Sequence, residues 1–264
     1  MPQAGRVGRS GNAPEQGERS TLRATDLSLG ADYRTPVQPA SVCRVLGLLY
    51  DVHGNLPALE AVLDDCPAER FLLGGDYTAF GAWPRETMAR LKQLDAEWIR
   101  GNVDRWLVDD SEVADFMKPL IARSRELLGD ELAQELAALP ESTTRDGTLY
   151  CHASPLSDMD GFYPEPHETD VERLMGVEAE RVVFGHTHLQ FARTGPGGIE
   201  LVNPGSVGIP LDGDRRAAYA VLHDDGSIEL RRAEYGWQSV ADAVREKIGD
   251  LPAKRIEQAR FDVS

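Results

Sequence analysis

The segment RVVFGHTHLQF, residues 181–191, sets His186 and His188 one residue apart just after a glycine. An imidazole can pack, shuttle a proton or ligate a metal, and an H-x-H pair alone does not choose among these. On a continuing strand the two rings would simply share one face. Other segments of the chain narrow the choice. Asp51 and His53 stand in DVHGN, Asp76 in GGD, Asn102 in GNVD and His152 in CHAS. Of six histidines only His167 and His223 fall outside these segments and the H-x-H pair. The pooled donors are four imidazoles, two carboxylates and one amide oxygen, with no thiolate. Such a set suits Mn, Fe, Zn, Ni or Co better than an iron–sulfur cluster or calcium. Cys151 precedes His152 on a predicted strand and points to the opposite face, so it is excluded as a ligand. Seven donors are too many for one tetrahedral ion and fit two ions that share a carboxylate.

The elements that must position these groups follow from the pattern around them. CRVLGLLYD reads as a short buried strand, and LPALEAVLDD places Leu56, Leu59, Val62 and Leu63 on one helical face. RFLLGGD is a strand, PRETMARLKQL a helix with Pro84 in its first turn, and EWIRGN a strand. Residues 111–139 have helical periodicity with a break at Gly129 and Asp130, forming a helical insertion before the strand TLYCHA. A helix near 168–176 precedes the H-x-H segment. GIELVNPGSV, AAYAVLHDDG and SIELRRAEY are strand-like, the last two a hairpin around Asp225 and Gly226. WQSVADAVREKIGD is an amphipathic helix, and beyond Pro252 no element is assigned. Every donor thus lies immediately after a predicted strand. In α/β sheets the loops at the carboxyl ends of strands converge on one crevice, so these five loops are expected to meet.

Composition bounds the function classes. The 264 residues, 41% of them hydrophobic, supply the core of one large α/β domain. Residues 1–40, rich in Gly, Pro, Ser, Arg and Gln, read as a disordered leader, and the ordered domain is expected over 41–264. No apolar window is long enough for a membrane span and no secretory signal is evident, which points to the cytoplasm. Cys43, Cys66 and Cys151 form no C-x-x-C pair and read as free thiols. A formal charge of −16 disfavours a nucleic-acid polymer as partner, while a small anionic substrate remains compatible with a local cation. The oligomeric state is not readable.

The ordered blocks D-x-H, G-D, G-N-x-D, H-x-S and G-H-x-H resemble those of the calcineurin-like metallophosphoesterase superfamily. DVHGNLPALEAVL and LVNPGSVGIP resemble its small prokaryotic predicted-phosphodiesterase branch, related to diadenosine tetraphosphatases. The resemblance spans residues 44–236. It implies a four-layer αββα sandwich of two mixed β-sheets flanked by helices. By the same resemblance Asp51, His53 and His188 hold one divalent ion and Asn102, His152 and His186 a second, with Asp76 bridging; manganese is the first choice of metal. Asp76, Asn102 and His152 are carried over as catalytic. The implied reaction is hydrolysis of phosphoesters by a bridging hydroxide, diesters ahead of monoesters. The alternative is a phosphomonoesterase or nucleotide pyrophosphohydrolase acting on diadenosine polyphosphates or a phosphoprotein; a scaffold without catalysis is disfavoured because all seven donors are present.

The sequence departs from the family at one chemical position. Where many members carry G-N-H-D, with the histidine as proton donor to the leaving group, this chain has Val103. Valine transfers no proton, and general acid catalysis supplies about 10² to 10⁴ in rate. The substrate therefore has a leaving group that needs little protonation, another acid stands in, or turnover is slow. His167 is the spare histidine and reads first as a surface residue. Tyr50 and Ala153 replace smaller residues beside ligands and are expected to narrow the pocket. Tyr77, Phe80 and Trp83 read first as core or lid packing and second as a stacking wall for a base. Asp104 is expected to fix the Asn102 loop, and residues 203–206 to form a positioning turn.

Overall fold

Strict alternation along the strands builds the centre of the molecule. In the computed structural model, which describes residues 45–263, the first strand β1 (Leu46–Leu49) turns Leu48 one way and Leu49 the other. The leader assigned to residues 1–40, and Cys43, lie outside the described residues. The chain continues through α1 (Leu56–Asp65), β2 (Arg70–Leu73), α2 (Pro84–Leu91), β3 (Asp95–Trp98), α3 (Asn102–Trp106), α4 (Lys118–Leu128) and α5 (Asp130–Ala137). It then runs through β4 (Ser142–Arg145), β5 (Thr148–Cys151), α6 (Asp170–Arg173), β6 (Arg181–Val183), β7 (Phe191–Thr194) and β8 (Glu200–Asn203). The hairpin of β9 (Ala217–Leu222) and β10 (Ile228–Ala233), then α7 (Trp237–Lys247) and α8 (Asp250–Gln258), complete it.

Two five-stranded mixed sheets result, ordered β10-β9-β1-β2-β3 and β4-β5-β6-β8-β7. Within the first, β1, β2 and β3 are parallel; within the second, β5, β6 and β8 are. Leu48, Tyr50, Leu72 and Ala220 of one sheet meet Tyr150, Val183 and Val202 of the other in a buried cluster between them. The odd-phase partners Leu49, Phe71, Leu73, Tyr219 and Val221 face outward onto the helices, as the period of two requires. On the second sheet Cys151, Val182 and Leu201 face out against Phe162 and Leu174. The αββα sandwich is therefore present, with unequal outer layers: helices pack over the first sheet, whereas α6 has four residues.

Local chemistry explains the boundaries. Asn55 caps α1 by accepting from the Ala58 N–H at 3.2 Å. Gly129, at φ 95°, separates α4 from α5. Two strands escaped the pattern reading: β4, with the sequence STTR, and β7, with FART, are antiparallel edge strands with little apolar alternation. EWIRGN is also strand only in part, since β3 ends at Trp98 and Asn102 begins a helical turn.

Candidate metal centre

Because β1, β2 and β3 run parallel, their carboxyl ends open side by side; so do those of β5, β6 and β8. The turns that follow are tight and unusual. Asp51, His53, Asp76, His186 and His188 all adopt positive φ, between 48° and 64°. That region costs a non-glycine residue about 1 kcal/mol or more, and such strain persists where surrounding contacts over-determine it. Here backbone bonds lock the turns: Asp51 N–H donates to the Gly75 carbonyl at 3.1 Å and His53 N–H to the Asp76 carbonyl at 2.9 Å. Gly101 and Gly185 leave the room this needs, since a Cβ on them would sit 2.1 Å from Asp76 Oδ1 and 2.4 Å from Asp51 Oδ2.

The structure brings all seven candidate donors together. His53 Nε2 lies 3.1 Å from His188 Nε2, and His188 Nε2 lies 3.3 Å from Asp51 Oδ1. On the other side Asn102 Oδ1 lies 2.9 Å from His152 Nε2 and 3.0 Å from His186 Nδ1. Asp76 Oδ2 stands between the groups, 3.4 Å from His152 Nε2 and 3.9 Å from His53 Nε2. Asp51 Oδ1 has a similar position, 3.9 Å from His53 Nε2 and 4.0 Å from His152 Nε2. His186 and His188, neighbours in sequence, face different halves.

Each carboxylate uses one oxygen for orientation and turns the other inward. Asp51 Oδ2 accepts from His186 N–H at 3.0 Å and Asp76 Oδ1 from Val103 N–H at 2.8 Å. The inward Asp51 Oδ1 is buried and has no hydrogen-bond donor. Three imidazoles are oriented in the same manner: the Nδ1–H groups of His53, His152 and His188 donate to the carbonyls of Ala79, Gly74 and Ile209 at 3.0, 2.9 and 2.5 Å. That fixes the tautomer and aims the Nε2 lone pairs at the centre. Lone pairs of His53, His188 and Asp51 thus converge, an arrangement that only a shared cation or proton satisfies. The donors present fit divalent metal ions.

Residues 45–226 match the sequence profile of the calcineurin-like phosphoesterase superfamily domain. The chain belongs to that superfamily. Its members are metal-dependent phosphoesterases, which agrees with the donor set. An uncharacterized protein of Methanocaldococcus jannaschii is 27% identical over 216 residues, covering 72% of this chain and 88% of that protein. Among solved structures, a metallophosphoesterase from Sphaerobacter thermophilus shares the fold with a TM-score of 0.70 at 24% identity, covering 81% of this chain and 98% of that one. A hypothetical protein from Pyrococcus horikoshii does so with a TM-score of 0.71 at 22% identity, covering 80% and 97%.

In this phosphoesterase the electrostatics of the donors are strongly mutual. Burial, and then the His188 imidazole, push His53 down to about 4; burial and His152 do the same to His186. Burial also opposes charge on His152, yet Asp76 and Asp51 outweigh it and lift that imidazole to about 10. Asp76 resists ionisation through burial, but His152, His53 and His186 hold it well below the usual carboxylate range. Negative oxygens at the middle and competing imidazoles around them are what a cation centre looks like before the cation is counted.

The remaining expected residues sort clearly. Asp104 accepts from the N–H groups of Asp76, Tyr77 and Gly101 at 2.8, 3.2 and 2.9 Å, tying the start of α3 to the Asp76 turn. Asn203 donates to the Gly185 carbonyl and to Thr187 Oγ1, and Ser206 donates to the Asp51 carbonyl at 2.8 Å, so residues 203–206 brace both loops. Val103 is buried in the larger core cluster. His167 is exposed and bonded to Thr169. Tyr77 is no stacking wall: it is buried, its hydroxyl donating to the Leu73 and Ile99 carbonyls. Phe80 packs 5.6 Å from the His53 ring, and Trp83 lies under Lys247. Tyr50 and Ala153 are buried too, Tyr50 reaching the Val183 carbonyl between the sheets. A cavity of about 820 Å³ borders His152, lined by Arg100, Arg105, Asp158 and Ser157 among others. Sequence reasoning missed Arg105 and Asp158, because no local pattern joins residues so far apart.

Proposed function

We propose that this chain hydrolyses phosphoesters, phosphodiesters first, at a two-ion centre. Asp51, His53 and His188 would hold one divalent ion, Asn102, His152 and His186 the other, with Asp76 between them. The observation that carries this reading is the inward, donor-less Asp51 Oδ1 set among imidazole Nε2 atoms whose other nitrogens are committed to backbone carbonyls. When bound, two divalent ions supply Lewis acidity toward phosphoryl oxygens and lower the pKa of a shared water. Manganese is the metal we favour, from the mixed nitrogen and oxygen donors.

The chain's own residues then constrain the substrate. Val103 is apolar and buried, and Asp158 cannot replace the missing acid: burial raises its carboxyl, but Arg105 hydrogen bonds outweigh that and keep it ionised. Proton donation to a leaving oxygen is therefore weak, which favours leaving groups that depart as stable anions. Aryl or nucleotide phosphodiesters fit, and the same observation favours a second reading, cleavage of nucleotide phosphoanhydrides such as diadenosine polyphosphates. A cytoplasmic location is supported by the unpaired, buried thiols of Cys66 and Cys151.

The test is to strip metal with a chelator, refill separate samples with manganese, zinc, iron or nickel, and measure turnover on alkyl and aryl diesters, monoesters and dinucleoside polyphosphates. The proposal expects chelator-sensitive hydrolysis restored by metal and ordered by leaving-group acidity. Hydrolysis indifferent to chelator, or none on the whole panel after refilling, overturns it.

A further inference from the structure

The half of the centre formed by Asn102 and His152 is tied through Gly185 N–H to the His152 carbonyl at 2.7 Å and through Asp104 to the Asp76 turn, and a side-chain bridge links the loops of the two donors from outside. Arg105 sits three residues after Asn102 on α3, on the same helical face. Its guanidinium grips Asp158 with two parallel bonds, Nε to Oδ2 at 2.9 Å and Nη2 to Oδ1 at 3.0 Å. Glu112 takes Nη1 at 2.8 Å and fixes the plane from the other side. Asp158 follows His152 in the same loop, which is closed on itself. Ser154 and Ser157 exchange backbone bonds at 2.9 and 3.3 Å, and Ser157 Oγ accepts from Met159 and Asp160 N–H at 3.0 Å each. The pair borders the cavity beside His152, with side chains 22% and 19% exposed. An exposed, single-bonded pair of this kind would contribute little, but a bidentate and largely buried one holds geometry.

We propose that Arg105 and Asp158 form a clamp that sets the 2.9 Å approach of Asn102 Oδ1 to His152 Nε2, and thereby the affinity of the second ion subsite alone. The inference rests on the two-ion reading above. Both are positioning residues, acting through Asn102 and His152. Loss of such an outer support typically weakens metal binding about 10- to 100-fold. The first subsite is tied by the Ala79 and Ile209 carbonyls and does not depend on the bridge.

The experiment is calorimetric titration of the full metal-free chain with manganese, with bound metal counted by elemental analysis. Arg105→Met is expected to weaken one of two binding steps about 10- to 100-fold and leave the other unchanged. Arg105→Lys keeps the charge but not the fork, and recovers only part of the loss. Asp158→Asn, nearly isosteric, guards against misfolding and should match Arg105→Met; the double variant should be no worse than either single one. Equal weakening of both steps, or no change in either, overturns the clamp while leaving the two-ion reading intact. A wild-type chain that binds fewer than two ions overturns both.

Discussion

The two halves of the centre are held by different means. Around Asp51, His53 and His188 the supports are main-chain groups: the Ala79 and Ile209 carbonyls orient the imidazoles, and Val207 and Gly208 N–H donate to the Tyr50 and Asp51 carbonyls at 3.0 Å each. Around Asn102, His152 and His186 only the His152 ring has a carbonyl partner, Gly74; His186 points Nδ1 straight at Asn102, and the outer ties are side chains, Asp104, Asn203 and the Arg105–Asp158 pair. One half is held mainly by main-chain bonds, with Ser206 as a side-chain brace. The other leans more on side chains and is open to adjustment one residue at a time.

The largest effect expected is at the residue the halves share. Asp76→Ala should reduce turnover by about 10³-fold or more, several kcal/mol of charge stabilisation, and lower the affinity of both subsites; metal counting and steady-state kinetics check this. His186→Ala should separate the halves: one ion stays bound and the second is lost, read as a drop from two to one in metal per chain. The converse perturbation can be made at a support of the other half. A Cβ on Gly208 would lie 2.0 Å from the Val52 carbonyl oxygen, so Gly208→Ala should cost about 1–3 kcal/mol of stability and weaken the first subsite preferentially, as thermal unfolding with and without manganese would reveal. Val103→His adds a donor to the adjustable half. It should raise turnover of alkyl diesters relative to aryl ones by less than the roughly 10² of a well-placed acid, because the position is buried in the core; an equal gain for both classes would show that proton donation is not limiting.

The smallest effect concerns pH. Burial raises the Asp158 carboxyl and Arg105 lowers it further than burial lifts it, so its pKa is depressed on folding. A depressed carboxylate stabilises the fold above its unfolded pKa, about 3.9, and that contribution is lost as pH falls through the folded value. For a partly exposed pair it amounts to under about 1 kcal/mol. The difference in unfolding free energy between wild type and Asp158→Asn should therefore be constant above about pH 4 and shrink as pH falls below it through the depressed folded pKa.

Much of the centre is legible in sequence because it is made of residue types that do little else together. Histidines that cluster after strands, with aspartates and an asparagine, are expected to meet before any coordinates are known, and the structure brings them together. What stays hidden is whatever the main chain contributes. The carbonyls of Gly74, Ala79 and Ile209 are shared by every residue type, so no motif marks them. The left-handed turns at Asp51, His53 and Asp76 are not marked by glycine, and Asp and His enter that region more readily than most side chains but far more often avoid it. The strand β4 is missed for the opposite reason: STTR has no apolar stripe because an edge strand does not need one. Arg105 and Asp158 are 53 residues apart, and only the folded chain makes them partners.

The positive dihedral angles at five donor positions have an evolutionary corollary. Each is a site where glycine would relax the backbone and at the same time delete a donor. A laboratory selection for heat resistance of the metal-free chain alone would thus relieve strain at the expense of donors. That conflict between robustness and chemistry is written into the turns themselves.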